Sequence, residues 1–109
     1  MRFLMKDIGG EIAKMDDKYI VRDNNTLQNL VLSSTQLRPN KSTTGHAHKG
    51  QEEVYFFVSG DGRMELDDST IEVGPGDVVL IQDGVFHRVH AGMHGCYFVC
   101  VFDGRRYDK

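Results

Sequence analysis

The chain has 109 residues, 39% of them hydrophobic and 27% charged, a balance that suits one folded domain and excludes a disordered or fibrous chain. A net charge of -3 at pH 7 provides no basic face, so neither a nucleic-acid nor a membrane partner is expected. No apolar run reaches the ~18 residues of a membrane span, and the opening MRFLMKDIGG is too broken for a signal peptide, which makes the cytoplasm the expected location.

Along the chain, short runs of period-two character recur and no helix-length pattern appears. Residues 1–26 read as an N-terminal segment whose charged clusters, Lys14 to Lys18 and Arg22 to Asn25, look like turns. Strands from this segment would sit at the edge of a dimer. Residues 27–103 read as the barrel proper. Its first extended run, Leu27–Leu37, stops at Arg38-Pro39-Asn40, where proline removes a ladder donor and restricts the residue before it. Further strands are predicted at Gly45–His48, Val54–Val58, Gly62–Leu66, Ile71–Val73, Val78–Ile81, Phe86–His90 and Cys96–Phe102. Turns are predicted at Gly60-Asp61-Gly62, Asp67-Asp68-Ser69, Gly74-Pro75-Gly76, Asp83-Gly84 and Gly92 to Gly95. So many short strands at such spacing indicate an antiparallel sandwich or closed barrel. Residues 104–109 form a polar tail, with Arg105 and Arg106 solvated or at an interface.

The two cysteines, Cys96 and Cys100, lie in one predicted strand. At about 3.3 Å per residue they are roughly 13 Å apart, beyond the ~7 Å that a disulfide spans, so they read as small buried hydrophobes kept reduced.

The chemistry concentrates elsewhere. His46 and His48 alternate in Gly45-His46-Ala47-His48, so on a strand both imidazoles project from one face. Glu53 heads EVYFFV, a strand apolar on both faces, where a carboxylate is costly to bury unless something compensates it. His87, in the apolar run VFHRVH, could supply a third nitrogen from across the barrel. Three imidazoles and a carboxylate suit Mn, Fe, Co, Ni, Cu or Zn and are a poor match for Mg or Ca. His90, three positions beyond His87, falls on the opposite strand face and reads as surface; His94 sits in a glycine-flanked turn. Tyr55, Tyr97, Gln36, Gln82 and Asp83 are the polar side chains expected nearest a pocket, with Tyr55 on the Glu53 side and the orientation of Tyr97 open.

These residues resemble the cupins. The first cupin motif, G-x5-H-x-H-x(3,4)-E-x6-G, is matched by His46, His48, Glu53 and Gly60, with Asn40 in place of the first glycine. The second, G-x5-P-x-G-x2-H-x3-N, is matched by Gly76, Gly84 and His87, with Gln82 replacing the proline and Ala91 the asparagine. Glu52 also fits the shorter gap of the first motif, but the closing glycine position then falls on Ser59, and alternation puts Glu52 on the other face from Tyr55; Glu53 is the predicted ligand and Glu52 is solvated.

The resemblance, from Leu27 to Phe102, implies an all-β double-stranded β-helix, or jelly-roll barrel, holding a divalent transition metal on His46, His48, Glu53 and His87. It implies a small-molecule metalloenzyme acting on a sugar, sugar phosphate or sugar-derived acid by isomerase-type chemistry, with Tyr55 as candidate proton-handling residue. An iron- or copper-dependent dioxygenase is the second reading, and a ligand-binding module with a structural metal is the third. A homodimer formed through edge strands is expected.

Overall fold

The computed structural model describes residues 1–104, and the expected tail residues Arg105 and Arg106 lie outside them. Seven strands follow in order: β1 (Glu11–Met15), β2 (Tyr19–Asn24), β3 (Leu30–Leu37), β4 (Glu53–Leu66), β5 (Ser69–Val73), β6 (Val78–Ile81) and β7 (His87–Asp103). All pair antiparallel in the order β1-β2-β3-β7-β4-β5, and β6 pairs with β4 beside the first half of that strand. The fold is the expected all-β jelly roll. Its ladder does not close on itself: β1 and β5 end the path, and the two halves meet by side-chain packing.

β4 and β7 are the two long strands, 14 and 17 residues, and they pair along nearly their whole length. Each replaces two predicted strands and the turn between them. The glycine clusters 60–62 and 92–95 are bends in a continuous ladder, not reversals. Gly60, at φ +82, marks one of them: a Cβ there would collide with the Gly95 carbonyl of the paired strand. Glycine lets two backbones approach and bend together where any side chain would part them.

The N-terminal segment forms the β1–β2 hairpin and continues the sheet by pairing with β3. Only Asp16 to Lys18 of its charged clusters turn. Arg22 to Asn24, expected as a turn, belongs to β2, because Tyr19, Val21 and Asp23 alternate inward and supply a buried face. The expected strand Gly45–His48 is absent; this stretch is a loop that touches β7 through one isolated bridge, His46 to His87. The core runs between the sheet halves, with Leu37 and Met64 fully buried and Phe57, Phe98, Val89 and Phe102 around them. Cys96, Phe98, Cys100 and Phe102 face inward, whereas Tyr97 faces out and donates its hydroxyl to the Met5 carbonyl at 3.0 Å. Both cysteines are buried, and neither is in a disulfide. No helix among the described residues is long and apolar enough to cross a membrane.

Candidate metal centre

Three separate stretches of chain converge on one point. His46 comes from the loop between β3 and β4, Glu53 is the first residue of β4, and His87 is the first residue of β7. His46 and His87 are bridge partners and exchange backbone hydrogen bonds, the His46 N–H donating to the His87 carbonyl at 3.2 Å and the His87 N–H to the His46 carbonyl at 3.0 Å. Their rings lie 4.4 Å apart, edge to face. One ligand-capable atom from each of His46, Glu53 and His87 falls within 4.8 Å of the others.

The loop is fastened on both sides of this point. The Thr43 N–H donates to the Val89 carbonyl at 2.9 Å, Arg88 Nε donates to the Thr43 carbonyl at 2.9 Å, and the Gly84 N–H donates to the His48 carbonyl at 2.9 Å. Gly45 lies against the Phe86 ring so closely that a Cβ would overlap it, which brings the loop down onto β7. Further along, Ser42 Oγ lies 2.6 Å from His90 Nδ1, and His90 Nε2 is bonded to Glu65 Oε1. His90 does fall on the face opposite His87, but it is not a solvated surface residue: it is half-buried between Ser42 and Glu65, and pins the loop to the outside of the sheet. His94 lies within β7 instead of a turn, exposed and 3.4 Å from Asp61.

The ring tautomers are set from behind. His87 Nδ1 lies 3.0 Å from the Val85 carbonyl and His46 Nδ1 lies 3.4 Å from the Thr44 carbonyl. A carbonyl can only accept, so each Nδ1 carries the proton and each Nε2 is left with its lone pair. Those two Nε2 atoms face Glu53 Oε1, at 3.5 Å from His87 and 3.9 Å from His46. Acceptors turned toward one another require a cation or a proton between them. The buried Nε2 of His87 has no hydrogen-bond partner among the described residues, as expected of an atom shaped for a metal ion. Imidazole nitrogens with one carboxylate are a borderline donor set, and the residues present fit a divalent transition ion.

The electrostatics agree. Burial pushes the Glu53 carboxyl up, but the facing imidazoles of His46 and His87 outweigh it and hold it at about 2. Burial pulls the His87 imidazole down, and the Glu53 carboxylate with the Val85 carbonyl outweighs that and raises it above 6.5.

His48 stands beside His46, with ring centroids 4.7 Å apart, and lines the same cavity without joining the three-residue cluster. Glu52 is exposed while Glu53 is buried. Tyr55 lines the cavity, its ring stacked on Phe98 at 5.1 Å and edge-on to His87 at 5.8 Å. Gln36, Gln82 and Tyr97 do not line it, and the Asp83 carboxylate instead accepts from the Gly50 N–H at 2.7 Å. The cavity, of about 380 Å³, has a wall the sequence reading missed: Tyr19 and Val21 from β2, Ser33 and Thr35 from β3, and Lys14 from β1. The sequence offers no clear signal for it, because Tyr19 to Asn24 mixes polar and apolar residues on both faces.

Comparison with known proteins agrees with this architecture. A 5-aminosalicylate 1,2-dioxygenase of a Comamonas species is 31% identical over 78 residues, which is 72% of this chain but only 21% of that relative's length. The polyketide cyclase RemF from Streptomyces resistomycificus superposes with a TM-score of 0.78 at 27% identity, covering 98% of this chain and 81% of that one. KdgF from a Halomonas species superposes with a TM-score of 0.79 at 17% identity, covering 90% of this chain and 89% of that one, and shows the shared fold. The Cupin domain family matches residues 34–102, the stretch that carries all the candidate ligands, and the chain belongs to that family.

Proposed function

We propose that this cupin is a metal-dependent enzyme acting on a small molecule bound between the metal and the aromatic wall. The observation that carries the reading is the pair of imidazole Nε2 atoms, tautomer-fixed from behind, that face one buried carboxylate. His46, Glu53 and His87 would hold the ion, and a ring rotation brings His48 in as fourth ligand. When bound, the metal supplies Lewis-acid polarisation of a carbonyl or hydroxyl oxygen. Tyr55 holds or delivers the proton at its hydroxyl, and Phe98 and Phe102 exclude water around it. The reaction class is proton transfer with rearrangement, as in an isomerase or a cyclase. Sugars and sugar-derived acids fall within it. The wall of Tyr19, Tyr55, Phe98 and Phe102 favours a flatter, partly apolar substrate over a polyhydroxylated one.

The test is elemental analysis of the purified protein, then turnover screening of protein reconstituted with Mn, Fe, Co, Ni or Zn against carbonyl-bearing ring compounds, sugars and sugar acids. Turnover that is abolished by a chelator and by Tyr55→Phe supports the reading. Wild-type protein that retains none of these metals overturns it. A His48→Ala variant with unchanged metal affinity removes His48 from the ligand set.

A dioxygenase is the second reading, favoured by the similarity to the Comamonas enzyme over most of this chain. Oxygen uptake with the iron-loaded protein separates the two: substrate-dependent uptake supports the dioxygenase, and turnover under nitrogen supports the proton-transfer enzyme. For assembly we favour a homodimer, since Leu80 and Val78 stand 71% and 55% exposed on the outer face of β6. A light-scattering mass of 12.3 kDa would identify a monomer instead.

A further inference from the structure

The sheet has a second hollow on its other side. In β2 and β3 the residues that alternate with the metal-cavity wall, Ile20, Arg22, Ser34 and Gln36, face outward, and Arg22 pairs directly with Ser34. Residues 4–8 lie across this face. The Asp7 N–H donates to the Leu4 carbonyl at 3.0 Å, the Tyr97 hydroxyl to the Met5 carbonyl at 3.0 Å, and Asn24 Nδ2 to the Ile8 carbonyl at 2.6 Å. The result is a groove of about 460 Å³, bounded on its far side by Lys6 and Ile8. Gln36 and Tyr97, expected near a pocket, line this groove and not the metal cavity.

Ser34 is only 4% exposed, yet its hydroxyl has no hydrogen-bond partner among the described residues. Its neighbour Ser33, on the inner face, is bonded to the Arg22 carbonyl at 3.1 Å and to Asp23 Oδ1 at 2.8 Å. A buried hydroxyl left without a partner costs stability unless something outside the fold completes it. Lys6 and Arg22 stand at the same groove, and neither is in an ion pair among the described residues. Asp7 is the one carboxylate in the lining, and its Oδ1 accepts from the Gly9 N–H at 3.2 Å. Glu11 and Asp23, paired across the β1–β2 ladder, are on the opposite face. Two cations and one acid leave one net positive charge, beside the apolar side chains of Ile8 and Ile20.

We propose that this outer groove is a second ligand site, which binds the oxyanion head, carboxylate or phosphate, of a small organic anion. Arg22 offers the planar fork that matches such a head, Lys6 adds a second charge, and the Ser34 hydroxyl is the buried donor. The apolar body of the ligand rests on Ile8 and Ile20. The site lies on the other face of the sheet from His46, Glu53 and His87 and does not depend on the metal reading.

The experiment follows the isoleucine and valine methyl resonances of chelator-treated protein during titration with benzoate, phenyl phosphate and the neutral benzyl alcohol. At least one anion is expected to shift the Ile8 and Ile20 methyls and to leave Val21, on the metal-cavity side, unmoved; benzyl alcohol shifts none of them. Arg22→Gln and Lys6→Gln alter exposed positions, so both should fold, which melting curves check. Each should weaken that anion about tenfold, the scale of one charged hydrogen bond. Ser34→Ala should weaken it too, with the melting temperature unchanged or raised, because the hydroxyl it removes has no partner in the fold. The tighter of the two anions identifies the head group. No shift with either anion, an equal response to benzyl alcohol, shifts at Val21 alone, or an affinity indifferent to Arg22 and Lys6 overturns the proposal. A lower melting temperature for Ser34→Ala assigns that hydroxyl to the fold and overturns its role as donor.

Discussion

His87 Nε2 and Glu53 Oε1 face each other across 3.5 Å inside the sheet, both almost wholly buried, while the other nitrogen of His87 is committed to the Val85 carbonyl. His46 repeats the pattern from the open side, with its side chain 40% exposed against 4% for His87. The candidate centre therefore has a closed back, formed by His87 and Glu53, and an accessible front at His46 from which an ion or a ligand would enter.

Removal of either back residue should abolish tight metal binding. His87→Ala and Glu53→Gln are each expected to lower affinity by more than about 100-fold, the upper end of what losing an outer-sphere partner costs. Glu52→Gln, altering an exposed neighbour, should leave affinity unchanged. Competition titration against a chromogenic chelator measures all three.

The pH dependence has a defined sign. In metal-free protein His87 is raised above 6.5, so its contribution to stability is complete below that value and is lost as pH rises through the folded-state value. Glu53, lowered from 4.5 to about 2, contributes above 4.5 and loses that contribution as pH falls toward 2. The pair therefore stabilises metal-free protein most between about 4.5 and 6.5. Metal binding displaces the His87 proton, so the melting-temperature gain on adding metal should grow from pH 6 to pH 8. A gain that is flat or falling over that range would contradict the assigned site.

The bend at Gly60 should be intolerant. Gly60→Ala introduces a side chain at φ +82 against the Gly95 carbonyl, and a loss of at least ~2 kcal/mol is expected from chemical denaturation. Gly74→Ala, whose Cβ would meet open space at an ordinary φ, is the control and should be near neutral.

Burial, with the nearby Asp61 charge adding to it, pushes the Cys96 thiol up to about 11. In a Cys100→Ala background, Cys96 should therefore resist disulfide-exchange reagents at pH 8 in native protein and react at the rate of unfolding. Fast labelling of native protein would show that the thiol is exposed.

Much of this was legible in the residues themselves. β6 lies where the apolar run Val78–Ile81 was predicted between two turns, and Glu53 was distinguished from Glu52 by the Gly60 register together with alternation, in agreement with its burial. The long strands were not legible, because Gly-Asp-Gly and the 92–95 glycines carry the same local signature whether the chain reverses or two paired strands bend together. Only the partner across the ladder decides, and that partner is 29 to 36 residues away (91 − 62 and 96 − 60). The loop at His46 was misread for a related reason: H-x-H predicts a shared face on a strand, but this stretch joins β7 by a single bridge and not by a ladder. The cavity wall from β2 and β3 was hidden by the mixed polar character of Tyr19 to Asn24, where inward and outward residues are equally polar in sequence.

The bridge between His46 and His87 also sets the order of events during maturation. Its two members are 41 positions apart in the chain (87 − 46), and Glu53 reaches them only once β4 has zipped onto β7. Such distant pairings form late, after the entropy of closing the intervening loops has been overcome. An ion meeting the unfolded chain finds at most the two neighbouring imidazoles of His46 and His48, a weak chelate. The metal would then be a passenger that boards an already assembled barrel, and its retention through purification would report on finished folding and not on how folding began.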